Sequence, residues 1–124
     1  MPSILIVDDY VVTLRVLSTQ LRKGGYEVVT AGSGVEALTC LNERHFDLAI
    51  LDVAMPDMDG ITLLERLRCD THYQKLPIIM LTASVLDEDR VRAQVAGATD
   101  FLTKPISSWE LLNVVEHQLT VAAV

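Results

Sequence analysis

Asp8-Asp9 follow the apolar run Ile4 to Val7, Asp52 follows Leu48 to Leu51, Thr82 follows Ile78 to Leu81, and Lys104-Pro105 follow Phe101-Leu102. Each polar group stands where a strand would end. In an open parallel α/β sheet the carboxyl ends of the strands share one edge, so these distant residues converge into three carboxylates, a hydroxyl and an ammonium. Adjacent acids at the end of a buried strand repel and raise each other's pKa unless something compensates. A hard divalent cation does so: Mg²⁺ takes oxygen ligands, usually one or two carboxylates with waters and a substrate phosphate. Three carboxylates, one Mg²⁺ and one lysine sum to zero charge, which leaves such a site ready to receive a phosphoryl group.

The elements that must position these groups are legible in the apolar pattern. The runs at 4–7, 48–51 and 78–81 are Ile, Leu, Val, Ala and Met without alternation, as strands buried on both faces require. Val28-Val29 and Phe101-Leu102 mark two weaker strands. Helical periodicity fills 10–23, 34–44, 60–69, 87–96 and 107–122. Breakers punctuate the scheme: Gly24-Gly25 end the first helix, Asp59-Gly60 open the third, Gly97 closes the fourth, and Ser107-Ser108 with Glu110 start the last. Five βα units in a chain of this length predict one doubly wound α/β domain over residues 1–124, with helices on both faces.

The ordered set Val7-Asp8-Asp9, Leu51-Asp52, Met55-Pro56-Asp57-Met58-Asp59-Gly60, Thr82-Ala83 and Lys104-Pro105 resembles the receiver domain of two-component response regulators, in particular the single-domain chemotaxis type. The resemblance runs strand for strand over essentially the whole chain. It implies a flavodoxin-like (βα)5 fold with a five-stranded parallel sheet in the order 2-1-3-4-5. It also implies that Asp52 is the phosphoacceptor, taking a phosphoryl group from a histidine kinase or a histidine phosphotransfer protein. The implied metal is Mg²⁺, with Mn²⁺ a substitute, held by Asp9, Asp52 and the backbone carbonyl of Ala54, and by Asp8 through a water. Lys104 and Thr82 would each contact a phosphoryl oxygen, and a cis peptide before Pro105 would aim Lys104 into the site.

The same resemblance implies a switch in which Thr82 moves toward a phosphorylated Asp52 and Phe101 rotates inward. A tyrosine is frequent at this position; Phe101 lacks its hydroxyl and is expected to report its state through shape and apolar exposure. The last helix, the fifth strand and the helix after Thr82 would then form an output surface for a downstream protein. Ala54 and Ser84, two residues after Asp52 and Thr82, are expected to govern water access to the aspartyl phosphate. On the first helix Leu17 and Leu21 share a face that Val12, Leu14 and Val16 cannot all join, so at least one of these aliphatics should face water, where a phosphodonor could dock. Asp57 and Asp59 read as turn and helix-start residues, and Trp109 as a packing residue. His45, His72 and His117 lack the spacing of a metal site.

Composition narrows the function classes. Seventeen acidic and 10 basic residues give a formal charge of −7, with the basic residues scattered. Such a chain should repel nucleic-acid phosphates, so no direct nucleic-acid contact is expected. No apolar run approaches the roughly 20 residues of a membrane span. Cys40 and Cys69 lack metal or disulfide spacing and fit a reduced, cytoplasmic setting. The ending soon after the fifth helix suggests a stand-alone regulator, a monomer or weak phosphorylation-dependent dimer, with a fragment of a longer regulator or hybrid kinase as the alternative.

Two rival classes fail on specific residues. Phosphatases of the haloacid dehalogenase type carry DxD on the first strand, whereas the nucleophile here is on the third and is followed by Val53-Ala54, without the second acid. A flavodoxin-like cofactor module needs a Ser/Thr/Gly-rich phosphate loop where this chain has Asp8-Asp9. The expected protein is therefore not an enzyme acting on a separate substrate. Its chemistry would be confined to gaining and losing its own phosphoryl group.

Overall fold

The computed structural model describes residues 1–83 and 87–122; Ser84 lies outside the described residues. The chain alternates strand and helix: β1 (Ser3–Val7), α1 (Val11–Lys23), β2 (Glu27–Ala31), α2 (Gly34–Glu43), β3 (Leu48–Asp52), α3 (Gly60–Cys69), β4 (Ile78–Thr82), α4 (Asp87–Ala96), β5 (Asp100–Thr103) and α5 (Ser108–Ala122). All strand pairs are parallel, and the sheet order is β2-β1-β3-β4-β5. This is the flavodoxin-like order expected above. Its topological switch point lies between β1 and β3, where open α/β sheets place their sites.

Both faces of the sheet are covered, which explains the unbroken apolar runs. Ile4, Ile6, Leu48, Ile50, Ile79 and Leu81 pack against Leu17 and Leu21 of α1 and Leu111 and Val115 of α5. Leu5, Val7, Ala49, Leu51, Ile78 and Met80 point the other way, onto α2, α3 and α4. Removing a single such side chain from water contributes about 1.5–3 kcal/mol, so the three central strands supply much of the stability.

Asp59 caps α3 as its place in the sequence indicated, accepting the Ile61 amide at 2.7 Å, and Ser33 caps α2, accepting the Glu36 amide at 3.1 Å. Gly25 and Gly97 take positive φ of 94° and 101° just beyond α1 and α4, a conformation that other residues adopt at a cost.

The structure also departs from expectation. A short 3₁₀ turn, Thr71–Tyr73, follows α3, with the Asp70 side chain capping it through the His72 amide. Trp109 does not pack: it is 74% exposed, because Leu111 and Val115 turn toward the sheet and a residue two positions before Leu111 points about 200° away. On α1, where at least one aliphatic was expected to face water, Val12 and Val16 are both exposed, at 53% and 47%.

Candidate functional site

Register brings the polar strand ends together. Val7 pairs with Leu51 and Asp52 with Leu81, so Asp8, Asp52 and Thr82 emerge side by side at the carboxyl edge. Thr82 pairs with Thr103, and the next amide, that of Lys104, donates to the Thr82 carbonyl at 2.6 Å. The Lys104-Pro105 peptide is cis.

From there the Lys104 Nζ donates to Asp8 Oδ2 at 2.8 Å and to Asp52 Oδ1 at 3.2 Å. Asp8 Oδ1 accepts the Tyr10 amide at 2.9 Å, so both Asp8 oxygens hold protein donors. Asp8 and Asp52 are buried, whereas Asp9 is exposed at the rim. One carboxylate oxygen from each of Asp8, Asp9 and Asp52 lies within 4.8 Å of the others.

One lysine does not balance this charge. Burial and the neighbouring Asp8 push the Asp52 carboxyl up to about 6, against the pull of Lys104. Burial disfavours the Lys104 ammonium, yet the two carboxylates more than offset this and raise its pKa. A cluster of hard oxygen donors with surplus negative charge fits a divalent cation such as Mg²⁺.

The loop from β3 to α3 borders the cluster. Ala54 is exposed there, and Gly60 makes the turn back possible: a Cβ on Gly60 would stand 1.9 Å from the Asp52 carbonyl oxygen. Asp59 starts α3, as the sequence indicated. Asp57 is more than a turn residue, since its carboxylate accepts the Gly34 and Val35 amides of α2 at 3.2 and 3.1 Å.

Phe101 is half-buried on the face shared with α4, and the Arg90 guanidinium lies 5.1 Å from its ring centroid. A cation over an aromatic face is attractive by about 0.5–1 kcal/mol at an exposed position. The ring is therefore positioned by charge as well as by shape. Sequence reading had no means of pairing Arg90 with Phe101, because the partners sit on different elements.

A groove of about 250 Å³ runs beside the cluster, lined by Val12, Val16, Leu17, Leu81, Lys104 and Ile106. A larger recess of about 540 Å³ lies at the opposite edge, among Leu41, Phe46, Tyr73 and Leu76, and includes none of the carboxyl-edge residues. His45 and His72 line that recess, each beside an aspartate, while exposed His117 is on α5. Among the described residues the one cluster able to hold a metal is the aspartate trio.

A doubly wound 2-1-3-4-5 sheet with an acidic cluster and a lysine at its carboxyl edge defines a CheY-like signalling domain. The chain belongs to the response regulator receiver domain family, whose model matches residues 4–116. It is 45% identical over 108 residues to the probable transcriptional regulator ycf27 of Cyanophora paradoxa, covering 87% of this chain and 44% of that protein. The chain spans about half or less of the curated relatives it matches.

Among solved structures, the chemotaxis response regulator CheY4 of Vibrio cholerae superposes with a TM-score of 0.90 at 36% identity, over 95% of this chain and 98% of that one. The receiver domain of the sensor histidine kinase PA1611 of Pseudomonas aeruginosa PAO1 matches with a TM-score of 0.89 at 30% identity, over 96% and 98% of the two chains. That structure holds a magnesium ion coordinated in its active-site cleft.

Proposed function

We propose that residues 1–124 form one receiver domain that accepts a phosphoryl group on Asp52 from a phosphohistidine of a histidine kinase or histidine phosphotransfer protein. The observation that carries this reading is the Lys104 ammonium bridging Asp8 and Asp52 within a carboxylate trio whose oxygens lie within 4.8 Å. In the transfer, an Asp52 oxygen attacks phosphorus, the N–P bond breaks, and the imidazole nitrogen leaves with the bond pair and takes up a proton. Asp9, Asp52 and the Ala54 carbonyl would hold Mg²⁺ or Mn²⁺. Asp8 would act through a water, in keeping with the two protein donors already on its oxygens. When bound, the cation neutralises charge that develops on the phosphoryl oxygens.

Lys104 then exchanges a carboxylate for a phosphoryl oxygen, a charge-assisted bond stronger than a neutral one. Thr82, one step beyond Leu81, the partner of Asp52 in the ladder, donates to another. A shift of Thr82 frees space for Phe101 to turn inward and releases its ring from Arg90, so α4, β5 and α5 present a changed surface to a downstream protein. The apolar groove beside Lys104 and Pro105 suits a helix of the phosphodonor, with Val12 and Val16 as anchors. Catalysis is limited to self-phosphorylation and autodephosphorylation, in a cytoplasmic setting, without direct nucleic-acid contact. The state expected is a monomer or a weak phosphorylation-dependent dimer.

Acetyl phosphate or a phosphorylated kinase, with Mg²⁺, should add one base-labile phosphoryl group, read by intact mass. Asp52→Ala should remain unlabelled under the same conditions. Equal labelling of both proteins would remove Asp52 as acceptor.

A further inference from the structure

The first turn of a helix has four amides without partners inside the helix. In α2 the helix's own ladder begins with the Ala37 amide on the Ser33 carbonyl at 3.0 Å, and of the earlier amides the Ser33 hydroxyl accepts that of Glu36. The Gly34 and Val35 amides are left over. Asp57, 22 to 23 residues further on, accepts both, one with each carboxylate oxygen.

An apolar contact reinforces this polar one. A Cβ on Gly34 would stand 2.8 Å from Met58 Cβ, so the absence of a side chain at Gly34 lets Met58 press onto the start of α2. At its two ends the same loop is held by other bonds. The Gly60 amide donates to the Val53 carbonyl at 2.8 Å, and Asp59 caps α3. Ala54 lies between these anchors, two residues past Asp52 and three before Asp57. A carbonyl in a loop fixed at both ends and clamped near its middle loses little freedom when it takes up a ligand, and such outer supports tune metal affinity.

We propose that Asp57 is a positioning residue: by clamping the β3–α3 loop to the start of α2 it holds the Ala54 carbonyl ready for Mg²⁺, so metal binding and the first turn of α2 are coupled. This rests on the reading of Ala54 as a ligand given above. Coupling is reciprocal. The clamp strengthens metal binding, and the metal in turn protects the clamped amides.

The test is calorimetric titration of Mg²⁺ into the wild type, Asp57→Ala and Asp57→Asn, with amide hydrogen exchange at Gly34 and Val35. Asp57→Ala should weaken Mg²⁺ binding roughly fivefold to tenfold. Asp57→Asn retains one acceptor oxygen and should fall between, which also covers an alanine variant that folds poorly. Mg²⁺ should slow exchange of the two amides in the wild type and leave Asp57→Ala unaffected. Equal Mg²⁺ affinity in the wild type and both variants would overturn the clamp while leaving the metal site intact. Equal weakening in both variants would assign the effect to lost charge and overturn it as well. A wild type that takes up no Mg²⁺ would sink the metal reading, and the coupling with it.

Discussion

At the carboxyl edge of the sheet the Lys104 ammonium bridges Asp8 and Asp52 with Asp9 beside them, whereas at the amino edge Arg44, Asp47 and Arg68 each have local partners. There Arg44 pairs with Glu27, and Asp47 accepts the Ser3 amide at 2.8 Å. Arg68 closes the same end by donating to the Gly97 carbonyl at 2.9 Å, the Tyr73 carbonyl at 2.6 Å and the Thr99 hydroxyl at 3.3 Å. One sheet thus ends in two kinds of polar edge. The bonds at the amino edge tie separate elements of the fold together. The carboxyl edge keeps a charge surplus at a cost to stability, the pattern expected where binding or chemistry needs an uncompensated site.

Substitution at the carboxyl edge should break this contrast most sharply. Asp52→Asn should lose phosphoryl acceptance entirely while raising the stability of the metal-free protein at neutral pH by roughly 2 kcal/mol, because a buried carboxylate that resists ionisation is gone. Urea denaturation of both proteins without metal checks the sign, and a destabilised Asn variant would mean that Lys104 already balances the site. Arg68→Ala should act oppositely. Losing two bonds that join α3 to the segment before β5 and one to the turn after α3 should cost about 2 kcal/mol, with Mg²⁺ affinity unchanged.

The pH response sharpens the same comparison. Asp52 titrates near 6 in the folded protein, above its ordinary 3.8, so the folded state binds the extra proton in that window. Stability from this group is present below about pH 4 and lost as pH rises through about 6. Added Mg²⁺ should flatten or reverse that fall by favouring the carboxylate, and melting curves from pH 4 to 8 with and without Mg²⁺ would reveal it. The smallest effect belongs to Arg44→Ala. Its pair with Glu27 is exposed, at 41% and 46% for the two side chains, and its loss should cost under about 1 kcal/mol.

Much of this contrast was legible along the chain. Asp8-Asp9, Asp52, Thr82 and Lys104 each follow an apolar run, and a parallel sheet sends every such end to one edge, so their convergence needed no knowledge of side-chain packing. The Asp59 cap and the turns at Gly25 and Gly97 are local as well, decided within a few residues of the chain. Helix bounds followed from the same short-range signals.

Contacts across long sequence separation were not legible. Asp57 reads as a turn residue because its partners lie 22 and 23 residues away on another element, although a first turn of α2 only partly served by Ser33 was a hint. The Arg68 donations and the Arg90 guanidinium over Phe101 depend on how α3 and α4 settle on the sheet. Trp109 was expected inside because indoles are usually packed, yet the facing of α5 set by Leu111 and Val115 turned it to solvent. By itself, then, the sequence determined the order of elements, the edge at which the acids meet and the family, since these follow from local pattern and strand direction. Tertiary structure alone decided which charges are compensated and which loop is clamped, because those depend on distances between elements that no local spacing encodes.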